Sequence, residues 1–276
     1  MIPSDCLAPG LLRGKTVFVT GGGSGINLAI ARAFARAGAG VAICGRTAEK
    51  LQAARAELEA LGARVSTAVA DVRDEDAMAA ALEQAGRELA PVDAVVCGAA
   101  GNFLAPAEKM NAKGFRTVVD IDLVGSFNAA HAAFEQLRQT RGSLLFVSAG
   151  QAHYPFRFQA HVGAAKAGVD NLMRNLALEW APYGIRSNAI VPGPIADTEG
   201  MKRLAGGDGY DAWIRSVPLR RFGDGDEIGA LAVVLASPLG AYVTGASLSV
   251  DGGLGLVGSA LVDDVFAAAV QAGRPS

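Results

Sequence analysis

Short apolar runs alternate with alanine-rich stretches of helical period from Thr16 to about Val191, and this alternation limits the possible folds more than any other feature. Val17–Val19, Val41–Ile43, Val65–Val69, Ala94–Val96, Leu144–Val147 and Ser187–Val191 read as buried strands, and Ala246–Val250 reads as a seventh. Leu51, Ala54, Leu58 and Leu61 recur at helical spacing between Thr47, a candidate N-cap, and Gly62, a stop. Asp74 opens a second helix with Met78, Leu82 and Leu89 on its apolar face, and Leu172, Leu176 and Trp180 mark another before Pro182. Strands of this kind separated by helices predict an α/β fold: one Rossmann-type, doubly wound parallel sheet of about seven strands, with helices on both faces.

The 276 residues contain no repeat and no dividing linker, so one domain is expected over residues 15–253, between tails at 1–14 and 254–276. A content of 51% hydrophobic and 19% charged residues argues against disorder, and a formal charge of −2 against nucleic acid as a partner. Cys6, Cys44 and Cys97 are too scattered for a disulfide framework or a zinc site, which points to a reducing, cytoplasmic setting. His131, His153 and His161 form no metal-ligand pattern, so no metal is expected. No apolar run reaches the roughly 20 residues of a membrane span. The least regular stretch, about residues 192–225, follows a strand and could close over a ligand.

Thr20-Gly21-Gly22-Gly23-Ser24-Gly25-Ile26 lies at the first strand-to-helix turn of this pattern. Glycines there let the backbone approach a pyrophosphate, and free N–H groups at the helix start face the anion. A glycine run alone is weak evidence; its position after a strand and before a helix strengthens it. At the end of the second strand, where an acidic residue would hold the ribose of NAD, the chain reads Cys44-Gly45-Arg46-Thr47. A guanidinium in that place suits a 2′-phosphate and points to NADP(H), the plain alternative being a solvated charge at a helix start.

The order of motifs over about residues 15–253 resembles the short-chain dehydrogenase/reductase family. Thr20–Ile26 is similar to its Thr-Gly-x3-Gly-Ile turn, although Asn27 stands where the family has a third glycine. Asp71-Val72 is similar to its adenine-side pair, Gly98-Ala99-Ala100-Gly101 stands where it has Asn-Asn-Ala-Gly, and Pro192-Gly193 follows the sixth strand. The resemblance implies that Gly21, Gly23, Ser24, Gly25, Ile26, Arg46, Asp71, Val72, Gly98, Ala99, Ala100, Pro192, Gly193, Pro194, Ile195 and Thr198 bind the cofactor with Lys166.

The family's usual chemistry needs a tyrosine four residues before its lysine, so that both share a helix face. Here Lys166 is present but the tyrosine's place holds Val162, and Ala149 rather than Ser148 takes the place of its serine. Asp122 replaces an asparagine on the long helix after the fourth strand, and a carboxylate would not be chosen there for packing. Losing the tyrosine while gaining this aspartate resembles one branch, the 2,4-dienoyl-CoA reductases of peroxisomal type; Ala99–Phe103, Asp120–Asp122, His161–Lys166 and Pro192–Ile195 also look like that branch. The resemblance implies NADPH-dependent reduction of a dienoyl thioester in unsaturated fatty acid β-oxidation, with Asp122 and Lys166 ordering a water as proton source, in a homotetramer. It also places Arg73, Phe103, Asn111, Lys113 and Arg203 at the acyl-CoA substrate. Tyr154, 12 residues before Lys166, is a rival acid or a substrate contact. Two alternatives remain open: a family reductase acting on another enoyl thioester or a carbonyl, and an NADP(H)-binding protein without catalysis.

Overall fold

The structure, a computed structural model, describes residues 2–196 and 209–259. Its strands are β1 (Thr16–Thr20), β2 (Gly40–Gly45), β3 (Val65–Val69), β4 (Ala94–Cys97), β5 (Ser143–Val147), β6 (Arg186–Pro192) and β7 (Ser247–Val250). They form one parallel sheet in the order β3-β2-β1-β4-β5-β6-β7. The chain builds outward from β1 to β3, then returns to build the other way from β4. The crevice at the carboxyl ends of β1 and β4 is therefore the topological switch point, where such sheets hold ligands.

The helices are α1 (Gly25–Arg36), α2 (Ala48–Ala60), α3 (Glu75–Glu88), α4 (Ala112–Val119), α5 (Gly125–Thr140), α6 (Ala160–Trp180), α7 (Gly209–Ser216) and α8 (Gly225–Ala236). Side chains alternate across each strand, so the sheet supports two cores. Val17, Val19 and Ile43 pack on one side with Ile30, Phe34, Leu58 and Ile228. Phe18, Leu144 and Phe146 pack on the other with Met78, Leu82, Leu137 and Met173. Helices α1 and α8 approach closely because Gly225 and Gly229 carry no side chains: a Cβ at either would lie 2.6 or 2.7 Å from the Cβ of Ala29 or Ala33.

Most predicted elements fall where the pattern placed them. Thr47 and Asp74 do precede α2 and α3, and the Asp74 side chain accepts from the Ala77 N–H. Two features differ. The irregular stretch after β6 contains α7, an eight-residue helix. The helix after β4 is not uniform: α4 and α5 join through a π turn, Asp120–Val124, in which the Gly125 N–H reaches back to the Asp120 carbonyl. Such turns insert one residue into a helix and recur at functional sites. No helix among the described residues is long and apolar enough to cross a membrane.

Candidate active site

The nucleotide turn owes its shape to its glycines. Gly21 and Gly25 adopt φ of +67° and +59°, a left-handed backbone that disfavours side chains. A Cβ on Gly22 would lie 2.6 Å from the Ile43 side chain. Ser24 opens α1 with extended backbone and no side-chain cap, so the first N–H groups of the helix remain available to an anion. Gly21, Gly23 and Ser24 line a cleft together with Arg46, Asp71, Val72, Ala99 and Ala100. Gly25 and Ile26 begin the helix behind it, Ile26 resting on the core.

Arg46 is exposed just beyond β2 and makes no ion pair with any described residue. Its guanidinium thus lines the cleft without an ion-pair partner among the described residues. Asp71 is held by Arg73, Nη2 to Oδ2 at 2.6 Å, and this hydrogen bond keeps its carboxyl below the usual range. Arg73, expected at the substrate, is turned back onto that carboxylate. Left-handed glycines, an uncapped helix start and an unpaired arginine facing one cleft fit a dinucleotide with an added phosphate.

Asn27 is accommodated by Gly98. The Asn27 Nδ2 donates to the Gly98 carbonyl at 2.8 Å. A Cβ on Gly98 would lie 2.0 Å from Asn27 Oδ1, so the amide fills space that a side chain just after β4 would need. Thr20 Oγ1 accepts from the N–H groups of Gly98 and Ala99 at 2.9 and 3.0 Å, tying the ends of β1 and β4 together.

Across the crevice, Asp122 sits on the π turn with no exposed surface. Its Oδ1 accepts from the Gly101 N–H at 2.7 Å, and its Oδ2 lies 3.2 Å from Lys166 Nζ. Lys166 also donates to the Val147 carbonyl at the end of β5, at 2.9 Å. The π turn meets α6 closely because Gly168 has no side chain: a Cβ there would lie 2.7 Å from Leu123. Ser126 Oγ donates to the Asp122 carbonyl at 2.6 Å, satisfying backbone that the π turn leaves irregular. Val162 is buried with Val118 and Ala165, an apolar cluster where a phenol would otherwise stand. Asp122 and Lys166 are both buried, so each charge is held by few partners among the described residues. Ser148 Oγ, just beyond β5, is buried without a hydrogen-bond partner among the described residues.

Tyr154 packs against Gly150 and Gly255: a Cβ on Gly150 would be 2.3 Å from its hydroxyl, and one on Gly255 would be 3.3 Å from its ring. Burial raises its phenol, and the charge of Asp251 adds to this. Phe103 is exposed, and its ring packs on His161 at a tilt of 51°, ring centroids 4.4 Å apart. Asn111 caps α4, accepting from the Gly114 N–H at 2.8 Å, and exposed Lys113 occupies the same first turn. Gly193 packs under Asp251, Pro192 ends β6, and Ile195 bridges to Gly223 beside Pro194. Thr198 and Arg203 lie outside the described residues. Burial pushes the Cys44 thiol up to about 12 and moves Cys97 the same way.

Three features escaped the sequence reading: the Asn27–Gly98 complementarity, the π turn, and the complete burial of His161. Only the first left a trace, as two departures from one family pattern that compensate each other.

A family model described as enoyl-(acyl carrier protein) reductase matches residues 21–255. The peroxisomal 2,4-dienoyl-CoA reductase of Saccharomyces cerevisiae, named as (3E)-enoyl-CoA-producing, is 42% identical over 91% of this chain and 87% of its own. A Bacillus subtilis protein, named a probable 2,4-dienoyl-CoA reductase producing (2E)-enoyl-CoA, is 38% identical over 87% of this chain and 96% of its own. Among solved structures, an NADPH-bound short chain oxidoreductase from Pseudomonas aeruginosa, described as containing an atypical catalytic center, superposes with a TM-score of 0.81. It is 32% identical, covering 87% of this chain and 96% of that one.

Proposed function

The chain belongs to the short-chain dehydrogenase/reductase family, and from that premise we propose that it reduces 2,4-dienoyl-CoA to 3-enoyl-CoA with NADPH, in the β-oxidation of unsaturated fatty acids. The observation that carries this reading is the fully buried Asp122–Lys166 pair beside Val162. A carbonyl reductase must protonate an alkoxide, and valine cannot. A conjugated thioester forms no alkoxide, because electrons pushed in at C5 travel to the thioester oxygen and the proton is taken by carbon.

Bound NADPH would supply hydride; Gly21, Gly23, Ser24 and the start of α1 would hold its pyrophosphate, Arg46 its 2′-phosphate, and Asp71, Val72, Gly98, Ala99 and Ala100 its adenosine half. Lys166 would hold the nicotinamide ribose, with residues 192–195 alongside. Asp122 and Lys166 keep a negative and a positive group in hydrogen-bond reach of each other, away from bulk solvent, where together they can orient a water toward C2. Phe103, Asn111, Lys113 and, once freed from Asp71, Arg73 would receive the acyl-CoA. Tyr154 has no hydrogen bond to Asp122 or Lys166 among the described residues, so nothing favours it as the acid. Residues 15–253 would act as one reductase domain, in a cytoplasmic homotetramer.

The test is NADPH loss with a short trans-2,trans-4-dienoyl-CoA, followed by identification of the product. Formation of the 3-enoyl-CoA supports the reading. Tight NADPH binding without turnover would remove it.

A further inference from the structure

His161 is the buried polar group for which the chemistry above has found no use. It lies one residue before Val162 on α6, has no exposed surface, and neither ring nitrogen completes a hydrogen bond of normal geometry with a described residue. Its surroundings are specific. The Phe103 ring packs on the imidazole at a tilt, centroids 4.4 Å apart, and two residues before Phe103 the Gly101 N–H donates to Asp122 Oδ1 at 2.7 Å, so one short segment touches both side chains. Burial holds the imidazole below its ordinary range, against the opposing pull of the Asp122 charge and the Phe103 backbone. The chain on either side of this contact is tied together: Gln159, two residues before His161, donates Nε2 to Oδ1 of Asn102, the neighbour of Phe103, at 3.2 Å, and Gln151 donates to Gln159 in turn. A position filled for packing alone would carry an apolar ring, since buried polar atoms without partners are costly. Asp122 Oδ2 shares the same condition, buried with the Lys166 ammonium as its one polar neighbour.

We propose that His161 is the third polar member of the proton-delivering centre, acting with Asp122 and Lys166 to orient the water that protonates C2. The inference rests on the dienoyl-CoA reading. In that step hydride adds to C5, the double bond moves to C3–C4, and the C1–C2 enolate pair takes a proton from water to form C2–H. The hydroxide left behind takes a proton from the Lys166 ammonium, which recovers one from solvent. His161 is a positioning residue in this sequence; it fixes where the water's proton points and is regenerated unchanged. Aim matters, because a proton delivered to C4 instead would give the 2-enoyl isomer.

The test compares wild-type protein with His161→Phe and His161→Gln, using NADPH, its 4-deuterated form, and solvent D2O. His161→Phe should lower kcat about 100-fold, as loss of proton-transfer assistance does, with the Kd for NADPH within twofold of wild type. The solvent isotope effect should grow and the deuteride effect shrink, because protonation becomes the slow step; His161→Gln should recover part of the loss. In the protein without cofactor, Asp122→Asn should shift the His161 ring resonances, as expected of neighbouring groups. Unchanged kcat in His161→Phe, or a loss accompanied by a larger deuteride effect, would overturn the inference. If the phenylalanine variant fails to fold, His161→Gln carries the same comparison. A wild-type protein that leaves dienoyl-CoA untouched would instead remove the proposed function.

Discussion

Asn27 occupies the volume that Gly98 leaves open, and its amide bonds the Gly98 carbonyl at 2.8 Å. One residue lies in the first turn of α1, just after the glycine turn, and the other directly follows β4. The pair therefore locks the two walls of the nucleotide crevice to each other from a direction the usual glycine would leave unused.

Gly98→Ala should therefore force Asn27 aside, since the new Cβ would stand 2.0 Å from Oδ1. We expect a loss of about 1–3 kcal/mol, the usual cost of overpacking, and weaker NADPH binding. In an Asn27→Gly background the same substitution should cost less, with a coupling of about 0.5–3 kcal/mol. Thermal unfolding and NADPH titration of the four proteins measure the cycle; additive effects would mean the two residues act independently.

Asp122→Asn preserves shape but removes the charge opposite Lys166. Breaking a buried pair from one side typically costs about 3–5 kcal/mol, here reduced by the Val147 carbonyl that Lys166 keeps. Turnover of dienoyl-CoA should fall about 100- to 10,000-fold, the span of general acid–base assistance. Steady-state kinetics beside a denaturant titration separate the two effects.

Arg46→Ala should discriminate between cofactors. A lost charge-assisted contact is worth about 1.5–3 kcal/mol, so NADPH affinity should drop about 10- to 100-fold while NADH affinity stays level. Equal losses for both would place the 2′-phosphate elsewhere.

Val162→Tyr will not create a carbonyl reductase. Val162 is 3% exposed inside a closed apolar cluster, and a phenol inserted there should cost about 1–3 kcal/mol by overpacking. Melting temperature and activity toward simple ketones are the readouts; new ketone turnover would show that the cluster opens.

Stability should fall on mild acidification. His161 binds its proton less readily folded than unfolded, because burial disfavours the charge. The unfolded chain therefore takes up more protons as pH falls below the ordinary histidine value of about 6.5, and stability declines from there toward the lower folded value. His161→Phe should flatten that part of the profile in denaturant titrations from pH 7.5 to 5.

Local pattern carried much of this protein. The strand runs, the Thr47 and Asp74 helix starts, the glycine turn and the spacing of Val162 from Lys166 are all read within a few residues, because period and backbone preference are local properties. Asp122 could be singled out because a carboxylate in an apolar stretch is chemically conspicuous. Only the family resemblance paired it with Lys166, 44 positions later; residue order alone does not show the 3.2 Å contact. That contact needs the π turn to turn Asp122 inward and Gly168 to let α6 settle on Leu123. Nor could residue order show that Arg73 folds back onto Asp71, that Tyr154 rests over Gly150, or that His161 is fully buried. Burial and close approach arise from which surfaces meet when the helices pack on the sheet, so they are set by three-dimensional packing and leave only faint marks in residue order.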